Sequence, residues 1–128
     1  MNGTALSAIY REYIACLNAQ DWANLGTFVH GEVHHNGRPV ALEGYREMLI
    51  KDFREIPDLS FNIQLLIEEP PRIAARLRFE CTPRAMFLGL HIDGKRVAFC
   101  ENVFYEFRER KIIEVWSVID KTAIEAQL

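Results

Sequence analysis

The sequence is poor in cysteine and shows no cysteine pairing motif. Its three cysteines, Cys16, Cys81 and Cys100, form no CxxC pair and lie near no paired histidine motif. An odd number of widely spaced cysteines argues against a disulfide framework and against a structural zinc site. We expect three buried thiols, because a free cysteine usually packs as a small hydrophobic residue. A cysteine nucleophile is the alternative, but no activating arrangement flanks any of the three.

Two further features are missing. No segment approaches the length of a membrane span, and the first residues lack the basic and apolar regions of a signal peptide, so we expect a cytoplasmic protein that binds no membrane. The net charge is only −3, and no basic stripe carries interleaved aromatic residues. This pattern is not that of a nucleic-acid-binding protein.

What the sequence does contain is enough apolar material for a core. The chain has 128 residues, of which 49% are hydrophobic and 26% are charged. A chain of this length and composition is typical of one globular domain with a substantial core. We therefore predict a single domain over residues 1–128, without internal repeats or linkers.

The first half of the chain has helical periodicity. Apolar residues recur at intervals of three and four over 4–20, which predicts an amphipathic helix. Asp21 fits as the N-cap of a short second helix over 22–29, and 32–36 reads as a short strand. A third helix must stop before Pro57. The positions that mark it are Leu42, Tyr45, Leu49, Asp52, Phe53 and Ile56.

The second half alternates with the period of β-strands. Residues 61–67 and 73–81 predict a half-buried hairpin, and after an irregular stretch near 83–90 two long strands follow at 95–108 and 111–120. Helices followed by a run of strands indicate an α+β fold, in which the N-terminal helices cover the concave face of an antiparallel sheet.

An acid at the end of the last strand is the first candidate functional residue. Asp120 follows an apolar run and alternates in step with Trp116 and Val118. If those two side chains line an interior, Asp120 lines it too, and burial would raise its pKa toward values useful for proton transfer. Alternatively, Asp120 ends the strand in solvent or caps a short helix over 122–127.

A set of individually weak motifs, in this order and spacing, resembles the SnoaL-like polyketide cyclase family, also called ester cyclases. The motifs are Pro57-Asp58-Leu59 after the third helix, Thr82 closing one strand, Gly94-Lys95 opening the next, Phe107 ending it, and Lys111-Ile112 with Glu114-x-Trp116-x-x-x-Asp120 closing the sheet. The resemblance covers nearly the whole chain. It implies the cone-shaped fold shared with ketosteroid isomerase and scytalone dehydratase, with a bent sheet enclosing a pocket.

The resemblance also implies a chemistry. Members of the family close a ring by an intramolecular aldol reaction of a polyketide-derived ester, without a metal or organic cofactor. One carboxylate in a hydrophobic pocket acts as acid and base, and the position matching it here is Asp120. Two departures stand out: Pro83 occupies a position that is often His, and Arg108-Glu109-Arg110 replaces a glycine-containing turn. The first removes a plausible pocket donor.

Other polar residues are candidates for binding a substrate. Glu101 shares the parity of Val97 and Phe99, so it can face the same interior as Asp120 and form a coupled carboxyl pair. The opposite facing would instead bring Asn102 into the pocket, and both alternatives stay open.

Histidines and aromatic residues complete the candidates. His34 and His35 are adjacent and must face opposite sides of a strand, and we take His35 as the pocket candidate. Tyr13, Phe53 and Trp116 are candidate aromatic walls, although large aromatic residues mostly belong to the core.

Three hypotheses follow for function. The leading one is a cofactor-free enzyme of the cyclase or isomerase type, with Asp120 as acid and base and a small hydrophobic carbonyl-containing ligand. The second is a noncatalytic small-molecule binding module on the same fold. The third is an interaction protein whose exposed sheet face makes a homodimer and whose pocket is vestigial. A homodimer is compatible with all three.

Overall fold

The structure is a computed structural model that describes residues 5–128. The chain is mainly helical in its first half and mainly β in its second half, as predicted. In chain order they are α1 (Leu6–Asn18), a 3-10 helix (Trp22–Thr27), β1 (Val29–His35), β2 (Arg38–Pro39), α2 (Ala41–Glu55), β3 (Asn62–Glu69), β4 (Arg72–Cys81), β5 (Met86–Phe87), β6 (Leu90–His91), β7 (Val97–Arg108), β8 (Lys111–Ile119) and α3 (Lys121–Glu125).

One curled, unclosed sheet carries six of these strands in the order β2-β1-β8-β7-β4-β3. Neighbouring strands are antiparallel except β1 and β8, which run parallel. The helices α1 and α2 pack on its concave side, and this confirms the predicted α+β fold. The apolar faces of helices and sheet thereby bury each other, which is the main source of stability in such a layer arrangement.

The concave face is built by alternate residues of the long strands. On β4, Ile73, Leu77 and Phe79 are buried while their neighbours along the strand are exposed or only partly buried. On β7, Val103 and Tyr105 point inward, each 3% exposed. The alternation follows from the two-residue period of a strand.

A one-residue bulge interrupts this alternation on β8. Phe107 pairs with Ile112, and Glu106 pairs with Glu114, so Ile113 is an extra residue without its own partner on β7. A bulge of this kind reverses the facing of every residue that follows it along the strand. After it, the odd-numbered residues of β8 face the concave side, and Trp116 faces outward.

The convex face carries exposed apolar side chains among polar and charged ones, and no other part of the described chain covers them. It carries five large hydrophobic side chains that are 39–70% exposed: Leu65, Ile67, Phe104, Trp116 and Val118. Several exposed large apolar side chains on one sheet face are typical of an interaction surface. The predicted homodimer stays a prediction, and this face is the surface on which it would form.

Local differences from prediction have simple causes. The second helix is a 3-10 helix that ends at Thr27, and the Asp21 carboxylate accepts a hydrogen bond from Asn24 Nδ2 at 2.8 Å rather than from a helix N–H. The stretch expected to be irregular contains the β5–β6 hairpin, whose turn residues Leu88 and Gly89 both have positive φ. The first helix was predicted to begin at Thr4, which lies outside the described residues.

The three cysteines are free and buried, as predicted. Within residues 5–128, no helix is both long and apolar enough to cross a membrane.

Candidate active site

A hollow lies between the helices and the concave face of the sheet. It consists of two adjoining lobes with cavity volumes of about 70 and 60 Å³. Asp52, Phe61 and Glu101 line both lobes, so the two carboxyl groups stand where the lobes meet. The first lobe is also lined by tyrosines and a histidine, and the second by aliphatic and phenyl groups.

Glu101 projects into the hollow from the middle of β7. Its Oε2 accepts a hydrogen bond from the Ser117 hydroxyl on the neighbouring strand β8. Burial raises the pKa of Glu101, because desolvation disfavours the charged carboxylate, and the bond from Ser117 opposes this rise. Glu101 is therefore a carboxyl group with an elevated proton affinity in an enclosed site.

Asp52 faces Glu101 from the last third of α2. It follows Tyr45 and Leu49 on the helix face that packs against the sheet, because residues three and four apart share a face. Burial raises the pKa of Asp52 to about 7, and the charge of Glu101 adds to the effect. Near neutral pH Asp52 is therefore close to the midpoint between its carboxylic acid and its carboxylate.

Three tyrosines surround these acids in the first lobe. The hydroxyls of Tyr13 and Tyr45 are 2.7 Å apart and hydrogen-bonded. Tyr10, buried behind the lobe, donates to the hydroxyl of Tyr105 at 3.0 Å, which leaves the Tyr105 proton available to the hollow. Burial raises the pKa of all four phenols, so they remain protonated donors.

His35, at the end of β1, completes the polar lobe. Its ring lies 6.3 Å from that of Tyr45, measured between centroids. Burial and the charge of Arg38 lower its pKa, so the ring is neutral at neutral pH. The adjacent His34 lies beside Glu114, with 3.2 Å between Nδ1 and Oε2.

The second lobe is apolar. Phe79 and Phe99 stack with their centroids 5.2 Å apart, and Phe87 of the β5–β6 hairpin packs on Phe99 at 5.6 Å. Such a wall excludes water and strengthens the electrostatic interactions of the adjacent acids.

The facing predicted for Asp120 is wrong. Trp116 and Val118 point to the convex side, 39% and 70% exposed, because the bulge at Ile113 reverses the alternation. Asp120 directly follows β8, and its Oδ1 accepts a hydrogen bond from the backbone N–H of Ala123 at 3.1 Å. It is the N-cap of α3, the alternative considered from the sequence, and it lines neither lobe.

The other predicted site residues lie in three places. Glu101, His35 and Tyr13 line the polar lobe. Asn102 lies on the convex face, where it accepts a hydrogen bond from Arg76 Nη1 at 2.9 Å, and Trp116 is on the same side. Phe53 is buried in the core against Trp22 and Phe61 and lines neither lobe.

Three site residues were not identified as such from the sequence. Asp52 carried a signal, because it is the one charged residue among the positions that mark the apolar face of α2. Tyr105 shares the parity of Glu101 on β7, which was also visible. Ser117 showed no signal in the sequence, because the bulge at Ile113 decides which side of the sheet it faces.

The charges and donors of the site limit what it can hold. The residues that line the two lobes include two acids and no lysine or arginine. Over residues 5–128, no group of three or more His, Cys, Asp and Glu side chains is arranged to hold a metal ion.

A family model described as SnoaL-like polyketide cyclase matches residues 7–128. The chain belongs to the SnoaL-like polyketide cyclase family. The resemblance seen in the sequence is thereby confirmed. No functionally curated protein matches this family member.

Solved structures extend the similarity. A SnoaL-like polyketide cyclase from Agrobacterium tumefaciens is 53% identical, with a TM-score of 0.97 and 98% of each chain covered. TsrD from Streptomyces laurentii is 21% identical, with a TM-score of 0.81 over 94% of this chain and 92% of its own. IdmH from Streptomyces antibioticus is 18% identical, with a TM-score of 0.83 over 97% of this chain and 98% of its own. At these lower identities the last two show that the SnoaL-like fold is shared.

Proposed function

We propose that this SnoaL-like protein is an acid/base enzyme that enolises a small neutral carbonyl compound, with Glu101 as the base. The proposal rests on the placement of Glu101 on β7 and Asp52 on α2. Both carboxyl groups lie where the first, tyrosine-lined lobe meets the second, phenylalanine-lined lobe. Paired carboxyl groups with raised pKa values are suited to moving protons to and from carbon near neutral pH.

The proposed reaction begins with proton abstraction. The Glu101 carboxylate takes a proton from the carbon next to the substrate carbonyl, and the electron pair moves onto the carbonyl oxygen. The enolate oxygen then accepts a hydrogen bond from the Tyr105 hydroxyl or a proton from the Asp52 carboxyl group. Preorganised donors of this kind stabilise developing charge most effectively where water is excluded.

Ring closure follows by the same groups. In an intramolecular aldol reaction the enolate carbon bonds to a second carbonyl carbon of the same molecule. The resulting alkoxide takes a proton from the Glu101 carboxylic acid, which returns Glu101 to its starting form. Where Asp52 has protonated the enolate oxygen, that oxygen gives the proton back to the Asp52 carboxylate as its C=O bond re-forms. The family supports the cyclase or isomerase class, and the ring-closing step is the finer part of the proposal.

The charge of the site indicates a neutral substrate. Two acids face the hollow and no lysine or arginine lines it, so an anionic ligand would meet repulsion without a compensating partner. We therefore propose an ester or ketone rather than a free carboxylic acid. The phenyl-lined lobe would hold its apolar part.

Hydrogen exchange on a simple β-keto ester tests the proposal. In D2O, proton NMR follows the loss of the C2 protons of methyl acetoacetate, with acetoacetate as the anionic counterpart. We expect the wild-type protein to accelerate exchange of the ester over buffer more than that of the acid. Glu101→Gln should reduce the protein-dependent rate by about 100-fold or more, the usual contribution of a general base.

The matched control is Glu106→Gln. Glu106 lies on the same strand but on the convex side, where it pairs with Arg72 at 3.0 Å, and its substitution makes the same change in net charge. We expect this variant to exchange the ester at the wild-type rate. Full activity of Glu101→Gln, or no acceleration by the wild-type protein, contradicts the proposal.

A further inference from the structure

The parallel pairing of β1 and β8 stops just short of the active-site serine. The two strands pair as far as His35 with Val115, and the backbone N–H of Asn36 donates to the Val115 carbonyl at 2.8 Å. At Gly37 the chain turns away into β2. The edge of β8 at Ser117 is thus left without a neighbouring strand on that side.

The side chain of Asn36 takes the place of the missing strand. Its Oδ1 accepts a hydrogen bond from the Ser117 N–H at 2.8 Å, and its Nδ2 donates to the Ser117 carbonyl at 3.3 Å. A carboxamide carries the same donor and acceptor groups as a peptide unit, so it can pair with both backbone groups of one residue.

The backbone conformation of Asn36 makes this contact specific to a few residue types. Its φ is 49°, in the left-handed region that asparagine tolerates better than most non-glycine residues. The residue that satisfies the turn is therefore also the one whose side chain reaches β8. Glycine would satisfy the turn equally well but would not make the two bonds.

Ser117 connects this contact to the active site. It pairs with Val103 in the sheet, which places its side chain on the concave face diagonally opposite Glu101. From there its hydroxyl donates to Glu101 Oε2. The contacts run without interruption from an exposed turn residue to the proposed catalytic base.

We propose that Asn36 is a positioning residue for this site, because its carboxamide holds Ser117 where the serine hydroxyl reaches Glu101. The catalytic consequence rests on the function proposed above for Glu101. The structural consequence does not, since the Ser117–Glu101 bond exists whether or not Glu101 is the base.

Loss of the Asn36 side chain has a defined effect on Glu101. A hydrogen bond to a carboxylate favours the charged form, so weakening the bond from Ser117 should raise the pKa of Glu101 further. The other titratable groups that face Glu101 are Asp52 and Tyr45 on α2, Tyr10 and Tyr13 on α1, Tyr105 on β7 and His35 on β1. None of them has a hydrogen bond to the Asn36 side chain.

The test is a carbon-13 NMR titration of the Glu101 carboxyl group in Asn36→Gly, which keeps the turn and removes the carboxamide. We expect the titration midpoint of Glu101 to rise by about 0.5 to 1 pH unit. This is the shift that corresponds to losing the net free energy of one typical intramolecular hydrogen bond. Ser117→Ala should give a rise at least as large. In the double variant, Asn36→Gly should add nothing to Ser117→Ala, because Asn36 acts through Ser117.

Gln20→Gly is the matched control. Gln20 is exposed and also has a positive φ, 53°, but it lies at the end of α1, away from the hollow. This variant should leave the midpoint unchanged. An unchanged midpoint in Asn36→Gly or in Ser117→Ala, or additive shifts in the double variant, overturns the inference.

The result is separable from that of the exchange assay. The titration needs no substrate. If Glu101→Gln is inactive but Asn36→Gly titrates like the wild type, only the positioning role fails. If Glu101→Gln is fully active while Asn36→Gly shifts the midpoint, the proposed function fails and the positioning contact stands.

Discussion

Replacing Asp52 with asparagine should stabilise the protein at alkaline pH. Burial raises the pKa of Asp52 from 3.8 to about 7, so the folded protein favours the protonated side chain. At about 1.4 kcal/mol for each pKa unit, ionising this group in the folded state costs about 4 kcal/mol relative to the unfolded chain. An asparagine of the same shape carries no charge and avoids this cost.

The pH dependence of the effect has a definite sign. Well below pH 3.8, Asp52 is protonated in the folded and unfolded states alike, and it does not affect the balance between them. As the pH rises from there to about 7, the unfolded chain loses the proton while the folded protein keeps it, so the free energy of unfolding falls. The advantage of Asp52→Asn should grow from about 0.5 kcal/mol at pH 4 to as much as about 4 kcal/mol at pH 8.

Urea unfolding at pH 4, 6 and 8 measures this difference, because the midpoint and slope give the free energy of unfolding at each pH. Glu47→Gln is the control, since Glu47 is exposed on the same helix and its substitution changes the net charge equally. The reasoning is refuted if the advantage of Asp52→Asn does not increase with pH, or if Glu47→Gln gains as much.

Two other variants test the remaining assignments. Asp120→Ala removes the cap of α3 and should lower the free energy of unfolding by about 1 kcal/mol in urea while keeping the exchange of methyl acetoacetate. Loss of exchange without loss of stability would return the catalytic role to Asp120. Lysine at Phe104 and Val118, which are 59% and 70% exposed, should convert the predicted homodimer to monomers in sedimentation velocity. A wild-type protein that is monomeric at all concentrations would contradict the homodimer.

The architecture was predictable because its periodicities are strong. The long strands β4 and β7 alternate over most of their 10 and 12 residues, and α2 ends before Pro57 as proline requires. The β5–β6 hairpin escaped prediction because each strand has two residues, too few for any period to show.

The site was predictable only in part. The parity of Glu101 with Val97 and Phe99 indicated that Glu101 faces the pocket. Phe104, on the opposite face of the strand, is also apolar, so the opposite facing stayed open. In the structure Phe104 lies on the convex side and is 59% exposed. Exposed apolar side chains on the convex face weaken the usual difference in polarity between the buried and the solvent-facing side of a strand. The helical pattern of α2 placed Asp52 on the face that packs against the sheet. Nothing in the sequence showed which strand residue would lie opposite it.

The bulge at Ile113 marks the one point of β8 where chain length can change without moving the site. Ile112 and Glu114 pair with Phe107 and Glu106, which are adjacent on β7, so removing Ile113 would restore a regular ladder and leave Ser117 opposite Val103 on the concave face. Removing one residue between Glu114 and Ser117 would instead turn the serine to the convex side. Redesign of this scaffold must therefore conserve the residue count from Glu114 to Ser117 rather than the bulge itself.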